Sequence, residues 1–171
     1  MVESFLNTEL LPGNTCFGCG HENSNGLGIK VFRDPANSKR ILGEFSPRDY
    51  MIGFPGITHG GAVYTALDCM ATWSGMLLRA TKAIWILRSA TMKYHRPAFQ
   101  GSPISLSAVI EDEGDEMAAI QVRAEARDSA GQLLAEGSFK VIPLSSEKFK
   151  SMIGIDELPK NWADWLGDGG S

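Results

Sequence analysis

The segment Gly56-Ile-Thr-His59-Gly60-Gly61-Ala-Val-Tyr-Thr-Ala-Leu-Asp68 opens a stretch that stays almost wholly small or apolar as far as Leu78, and Asp68 is the only charge before Arg79. The residues are mostly good helix formers, and a helix running over about 60–80 would be too uniformly apolar to lie on a surface, where a charged face is the rule. It must be central, with other elements wrapped round it. Within it a solitary carboxylate is costly, so Asp68 is either hydrogen-bonded for structure, neutralised, or turned to a cleft where its charge is used. Asp68 lies nine positions after His59, about 14 Å along a helix axis and, at about 100° per residue, on the opposite side. If the Gly60 and Gly61 amides and Asp68 serve one site, two copies of the helix must lie side by side and antiparallel.

The flanking chain alternates in the manner of strands. Residues 28–33 and 40–45 alternate apolar and polar about the turn residues Asp34-Pro-Ala-Asn-Ser, which predicts a hairpin. A loop is expected through Pro47, Gly53 and Pro55-Gly56. After the helix, strand-like runs cover 83–96, 104–111, 117–127 and 133–142, with Glu111-Asp-Glu-Gly-Asp-Glu and Asp128-Ser-Ala-Gly131 as turns between them. Sequential hairpins imply an antiparallel sheet, and two strands, a long helix and four more strands give an α+β class with the sheet curled round the helix. Residues 1–28 read as a lead-in of turns with little chemistry, 29–143 as the domain proper, and 144–171 as a tail. In that tail Met152, Ile153, Trp162 and Trp165 suggest one or two short helices packed on the outside, before a disordered Gly-Asp-Gly-Gly-Ser.

A chain of 171 residues fits one domain with a full core. Its start carries an acidic residue and no basic region followed by an apolar run, so no secretory signal is visible and a cytoplasmic location is expected. The apolar helix is interrupted by Asp68, Thr72, Ser74 and Gly75, against the roughly 20 apolar residues that a membrane span needs, so no membrane role is expected. Three cysteines suit reduced thiols in such a compartment. The net charge of −4 argues against a nucleic-acid binder. Arg79, Lys82, Arg88, Lys93 and Arg96 nevertheless gather in one stretch, either as a solvated face or as partners for phosphates.

The His59-Gly60-Gly61 triplet, followed seven positions after Gly61 by Asp68, resembles the pattern of the hotdog-fold acyl-CoA thioesterases, in their phenylacetate-pathway (PaaI-like) branch. Thr91-Met-Lys-Tyr94-His-Arg96-Pro97-Ala-Phe-Gln-Gly101 is similar to that family's strand and Arg-Pro turn. Cys16-Phe-Gly-Cys19-Gly20 with Asn25-Gly26-Leu27-Gly28 is similar to the N-terminal signature of one of its subgroups. The resemblance spans roughly residues 16–143. It implies a hotdog fold, an antiparallel sheet wrapped round a long central helix, in a homodimer or a homotetramer built as a dimer of dimers. It also implies hydrolysis of acyl-CoA thioesters with no metal and no organic cofactor.

Such hydrolysis needs a base or nucleophile and donors for the developing oxyanion. By the resemblance, the Gly60 amide of one subunit polarises the thioester carbonyl, and Asp68 of the neighbour activates a water or attacks directly. Glycine allows close approach, and amides at a helix start lack intrahelical partners. His59, Gly61, Ser89 and Arg96 are the candidate substrate-binding residues, with Thr91 as a second hydroxyl on the strand. His59 equally suits a cap, and Ser89 a structural bond. Where relatives often carry polar groups that position water, this chain has Met51, Ile52, Gly53 and Leu87. A non-catalytic acyl-CoA binding or sensing domain is therefore a rival reading, and a hydratase or dehydratase of the same fold another. Met51, Phe54, Trp73 and Met76 would suit a medium-chain or aromatic acyl group. Cys16, Cys19 and His21 lack an evident fourth ligand, so a Gly-rich turn with two buried small side chains is expected there rather than a metal site.

Overall fold

The computed structural model describes residues 5–111, 114–115 and 117–167. A short helix α1 (Leu6–Leu10) precedes the hairpin β1 (Lys30–Arg33) and β2 (Arg40–Phe45). A small hairpin β3 (Ile52–Phe54) and β4 (Ile57–Thr58) then leads into the long helix α2 (Gly60–Leu78). The strands β5 (Ile84–Tyr94), β6 (Ile104–Ile110), β7 (Ile120–Arg127) and β8 (Leu133–Leu144) follow, and helices α3 (Ser146–Ile153) and α4 (Lys160–Leu166) finish the described chain. Six strands form one sheet in the order β1-β2-β6-β7-β8-β5, every neighbouring pair antiparallel.

Period-two alternation sets which face of the sheet meets the helix. Ile104, Leu106, Ala108 and Ile110 of β6, Ile120, Val122, Ala124 and Ala126 of β7, and Ala135, Phe139 and Val141 of β8 are buried, and α2 packs across these strands and β2 and β5. Every residue of α2 from 62 to 78 is buried or half-buried, the central position its composition predicts. Small residues allow that close approach. A Cβ on Gly43 would fall 2.6 Å from Met70 Sδ, and one on Gly75 2.3 Å from the Trp85 ring, both inside any real contact. The far end of α2 is satisfied by Arg33, whose guanidinium donates to the Leu77 carbonyl at 2.9 Å.

Two segments hold more structure than their composition suggests. The stretch before α2, expected as a loop, pairs β3 with β4 because Pro55-Gly56 supplies a tight turn, with Gly56 at φ +80°. The lead-in is tied into the domain by Asn7, which is 1 % exposed. Its amide nitrogen donates to the Cys19 and Ile29 carbonyls at 2.9 Å each, and its oxygen accepts from Val31 N–H at 3.0 Å. Leu11, Cys19 and Leu27 accordingly share the core with α2 and the sheet. At the other end Trp162 and Trp165 pack on that core as expected, with Lys82 Nζ 5.1 Å from the Trp165 ring centre, whereas Met152 and Ile153 of α3 are exposed. The acidic turn at 111–116 is only partly within the described residues, and 168–171, read as disordered, lie outside them. No helix among the described residues is long and apolar enough to cross a membrane.

Replacing Asn7 by Ala leaves two buried carbonyls and one amide without partners, each costing about 1–3 kcal/mol. Urea denaturation is expected to show a loss of at least about 2 kcal/mol with the slope unchanged.

Candidate functional site

The start of α2 is built by its cap. His59 precedes the first turn with extended backbone, and its Nδ1 accepts the Gly61 N–H at 2.9 Å. His59 N–H donates to the Met51 carbonyl at 2.8 Å, and a Cβ on Gly53 would come 2.8 Å from His59 Cα. The Met51 carbonyl and the bare backbone of Gly53 thus hold the capping histidine. The consequence for the two glycines is asymmetric. Gly61 spends its amide on the cap, whereas among the described residues no acceptor takes the Gly60 N–H.

Gly60 opens onto a cavity of ≈ 340 Å³ lined by Thr58, Val63, Tyr94, His95 and Arg96 among others. Tyr94 Oη donates to the Gly60 carbonyl at 3.1 Å, and its ring lies where a Gly60 Cβ would meet it at 3.4 Å. Arg96 reaches the Leu133 carbonyl at 3.1 Å and keeps its side chain exposed at the rim. Gly60 and Arg96 are therefore brought together. Thr58 and Tyr94 were not singled out by the sequence. Thr58 is 4 % exposed, and its hydroxyl has no hydrogen-bond partner while it lines this cavity. Its position next to His59 was the available signal, but a single hydroxyl before a helix carries no chemistry of its own.

Asp68 lies on a different part of the helix. Gly61, Thr65, Asp68 and Thr72 fall at i, i+4, i+7 and i+11, one stripe of α2, and all are exposed or half-buried. Gly61, Ala62 and Thr65 line a second cavity of ≈ 600 Å³ with Phe17, Asn25, Tyr50, Met51, Ile52 and His59. Asp68 continues the stripe one turn deeper. The hydroxyls of Thr65, Thr72 and Ser74 are satisfied by carbonyls of their own helix, at 2.9, 3.0 and 2.9 Å. Among the described residues no donor reaches the Asp68 carboxylate. Burial, with the nearby Cys16, pushes its pKa up from 3.8 to about 6. Asp68 in turn, after burial itself, raises the Tyr64 phenol. Between Gly60 and Asp68 the helix rises about 12 Å, too far for one thioester group to touch both.

The remaining candidates are scattered. Ser89 and Thr91 are exposed on β5, which bulges between Leu87 and Ser89, and they alternate with Ala90 and Met92, which pack on the core. Neither hydroxyl lines the cavities at Gly60 and Gly61. Leu87 packs on the core as well. Of the basic residues, Arg79 donates to the Gly114 carbonyl at 2.6 Å and Lys82 stacks on Trp165, which leaves Arg88, Lys93 and Arg96 exposed along and beyond β5. Trp73 and Met76 line a separate apolar cavity of ≈ 220 Å³, away from Met51.

Residues 55–131, from the turn before the cap through β7, match the protein family described as the thioesterase superfamily. The chain has the hotdog fold. Solved structures share the fold at low identity. The PaaI protein of the phenylacetic acid degradation operon of E. coli is 15 % identical, with a TM-score of 0.61 over 70 % of this chain and 81 % of its own. A thioesterase from Haemophilus influenzae is 16 % identical, with a TM-score of 0.62 over 74 % and 86 %. A protein from Streptococcus mutans, solved with acetyl CoA bound, is 13 % identical, with a TM-score of 0.57 over 63 % and 82 %. No curated protein matches the sequence. Within this fold the His-Gly-Gly cap and the lone helix carboxylate occupy the start and the middle of the central helix.

The raised Asp68 value has a sign that can be tested. The folded chain holds this proton more tightly than the unfolded chain, so the group leaves stability intact below pH 3.8 and lowers it as pH rises through about 6. Allowing for screening of a half-buried group, Asp68→Asn is expected to raise unfolding free energy by about 1–2 kcal/mol at pH 8 and by nothing at pH 4. Denaturation curves for both proteins at the two pH values measure it.

Proposed function

We propose that this protein hydrolyses acyl-CoA thioesters to the free acid and CoA, in a site shared between two copies of the chain. The observation that carries the reading is the Asp68 carboxylate, half-buried, with no donor among the described residues and a pKa near 6. A structural aspartate would have acquired partners within the fold. A base poised close to neutrality, by contrast, combines an ionised form with real proton affinity. The match of residues 55–131 to the thioesterase superfamily and the acetyl CoA bound by the similar Streptococcus mutans protein support the substrate class.

In this reading the thioester carbonyl oxygen points at the free Gly60 N–H, at the positive end of α2. The Thr58 hydroxyl, buried without a partner in a residue that lines the same cavity, donates to the bound acyl-CoA. Asp68 of the second chain removes a proton from water as the water oxygen adds to the carbonyl carbon. The tetrahedral oxyanion rests on Gly60 and then collapses, breaking the carbon–sulfur bond, and the departing CoA sulfur takes up the proton. Direct attack by the carboxylate, giving an anhydride that water then opens, uses the same two groups. Arg96 at the rim is placed for a CoA phosphate, with Arg88 and Lys93 further along β5. His59 acts by fixing the cap.

Sharing follows from distance and from surface. The 12 Å rise, roughly, between Gly60 and Asp68 on one helix is best met by two antiparallel helices. The eleven-residue strand β5 ends the sheet with an unpaired edge. Ile52, Phe54, Tyr94 and Phe99 are each at least half exposed on the single chain. Such an edge and such apolar side chains call for a partner, and a second copy supplies one. The apolar positions at Met51 and Leu87 favour a second reading, an acyl-CoA sensor that binds without turnover.

Thiol release from short, medium, long and aryl acyl-CoAs separates the two. The rate is expected to rise with pH along a limb centred near 6, and Asp68→Asn to lose about 10²- to 10⁴-fold while it stays folded and dimeric. Binding without thiol release in the wild type would establish the sensor, and undiminished turnover in Asp68→Asn would remove the carboxylate from the mechanism. Thr58→Val is expected to lower kcat/KM by about tenfold, with Thr58→Ser close to wild type.

A further inference from the structure

The sequence places Cys16 and Cys19 in one turn but gives no hint of what they face. In the structure Cys69, the residue after Asp68 on α2, completes a cluster: the three Sγ atoms all lie within 4.8 Å of one another. Cys19 and Cys69 are buried and Cys16 is exposed, so the expected pair of buried side chains in this turn holds for Cys19 alone. The three sulfurs line one end of the ≈ 220 Å³ apolar cavity.

The turn is shaped to hold them there. Gly20 N–H closes on the Cys16 carbonyl at 2.9 Å, and a Cβ on Gly20 would fall 2.3 Å from Cys16 N, so only glycine fits. A Cβ on Gly18 would strike Cys69 Sγ at 2.3 Å, so the turn lies flat against α2. A buried amide also serves this turn. Asn14, 5 % exposed, directs Nδ2 to Cys19 Sγ at 3.6 Å, and its Oδ1 accepts Cys16 N–H at 2.9 Å. Donors aimed at sulfur are what thiolate ligands of a metal collect around themselves.

We propose that Cys16, Cys19 and Cys69 form a three-thiolate site for a thiophilic divalent cation of the zinc type. Bonds of about 2.3 Å from one ion to three sulfurs set those sulfurs about 3.8–4.0 Å apart, a small contraction of the cluster at most. Loading releases the thiol protons to solvent and leaves no odd thiol, whereas a disulfide would use two sulfurs and strand the third. Among the described residues no other His, Cys, Asp or Glu joins the cluster, and His21 turns instead to Glu22 at 3.6 Å. The fourth position therefore goes to solvent or a small ligand on the exposed side of Cys16. The ion would pin the turn that carries Phe17 to α2. Phe17 is a wall of the ≈ 600 Å³ cavity that Gly61 and Thr65 also line, so the cation stiffens that cleft without entering it. The site stands independently of the hydrolysis reading.

The test is Co²⁺ titration of the full-length protein, reduced, stripped with chelator and kept without oxygen. Near-ultraviolet thiolate-to-cobalt charge transfer and visible d–d bands are expected to saturate at one ion per chain and to bleach on adding Zn²⁺. Excess Zn²⁺, at about a hundred times its Kd, is expected to raise Tm by about 5–10 °C. Cys16→Ser, at an exposed position, and Cys69→Ser should each abolish the charge-transfer band, while His21→Ala keeps it; circular dichroism checks that each variant is folded. The absence of that band in the reduced, folded wild type overturns the site. Binding that survives Cys69→Ser does so too, as does a Cys16–Cys19 disulfide that forms in air in a protein whose reduced form takes no cobalt.

Discussion

The structure depends on burying one helix on nearly every side. From residue 62 to 78 no position of α2 is exposed, and the sheet is cut to receive it, with Ala108, Ala124 and Ala126 beneath it and Gly43 and Gly75 at the closest approaches. Each of those small residues exchanges side-chain packing for proximity. The return is the dispersion and desolvation of a long apolar surface. An ionised group has no place in such an element unless something outside the fold uses it. Asp68 is that exception, and its raised pKa is the physical trace of the conflict.

The conflict also explains the division of labour along α2. In the proposed site the backbone supplies the oxyanion donor at the start of the helix, because the first amides of a helix have no intrahelical partners and lie at the positive end of its dipole. His59 consumes one of them and leaves Gly60 free. In the middle only a side chain can act, and Asp68 lies on the one stripe that the sheet leaves least covered. The two kinds of group cannot converge within one chain. An exposed sheet edge at β5 and a surrounding set of exposed aromatic and aliphatic side chains offer the means of convergence between two.

Much of this was legible in the residues. The largely apolar run from Gly61 to Leu78 gave the buried helix and its bounds to within two residues, and alternation gave six flanking strands within a few residues of their ends. The His-Gly-Gly cap and Asp68 were legible because each violates a local rule, glycine at a helix start and charge in an apolar helix. Relations that join distant segments without such a violation were not. Thr58 looks like any hydroxyl until its burial without a partner is seen, and Tyr94 is distinguished only by touching Gly60. Cys69 reads as a small core residue until the turn at Cys16–Gly20 folds onto it. The hairpin β3–β4 was hidden by strands of three and two residues, too short to establish a period. Asn7, a polar residue in a nondescript lead-in, ties three backbone groups together that lie 12, 22 and 24 positions away.

If Gly60 of one chain and Asp68 of another make one site, two variants that are each inactive should restore turnover when mixed. Asp68→Asn lacks the carboxylate. Gly60→Pro lacks the amide at the first helical position, where proline's fixed φ and missing N–H are tolerated. Each alone should be nearly inert toward an acyl-CoA. After unfolding, mixing in equal amounts and refolding, random pairing makes half of the dimers mixed, each with one intact site, so recovery of about a quarter of wild-type turnover is expected. A mixture as inert as its two components, with mixed dimers shown to have formed, would place both groups of each working site on a single chain and contradict the account.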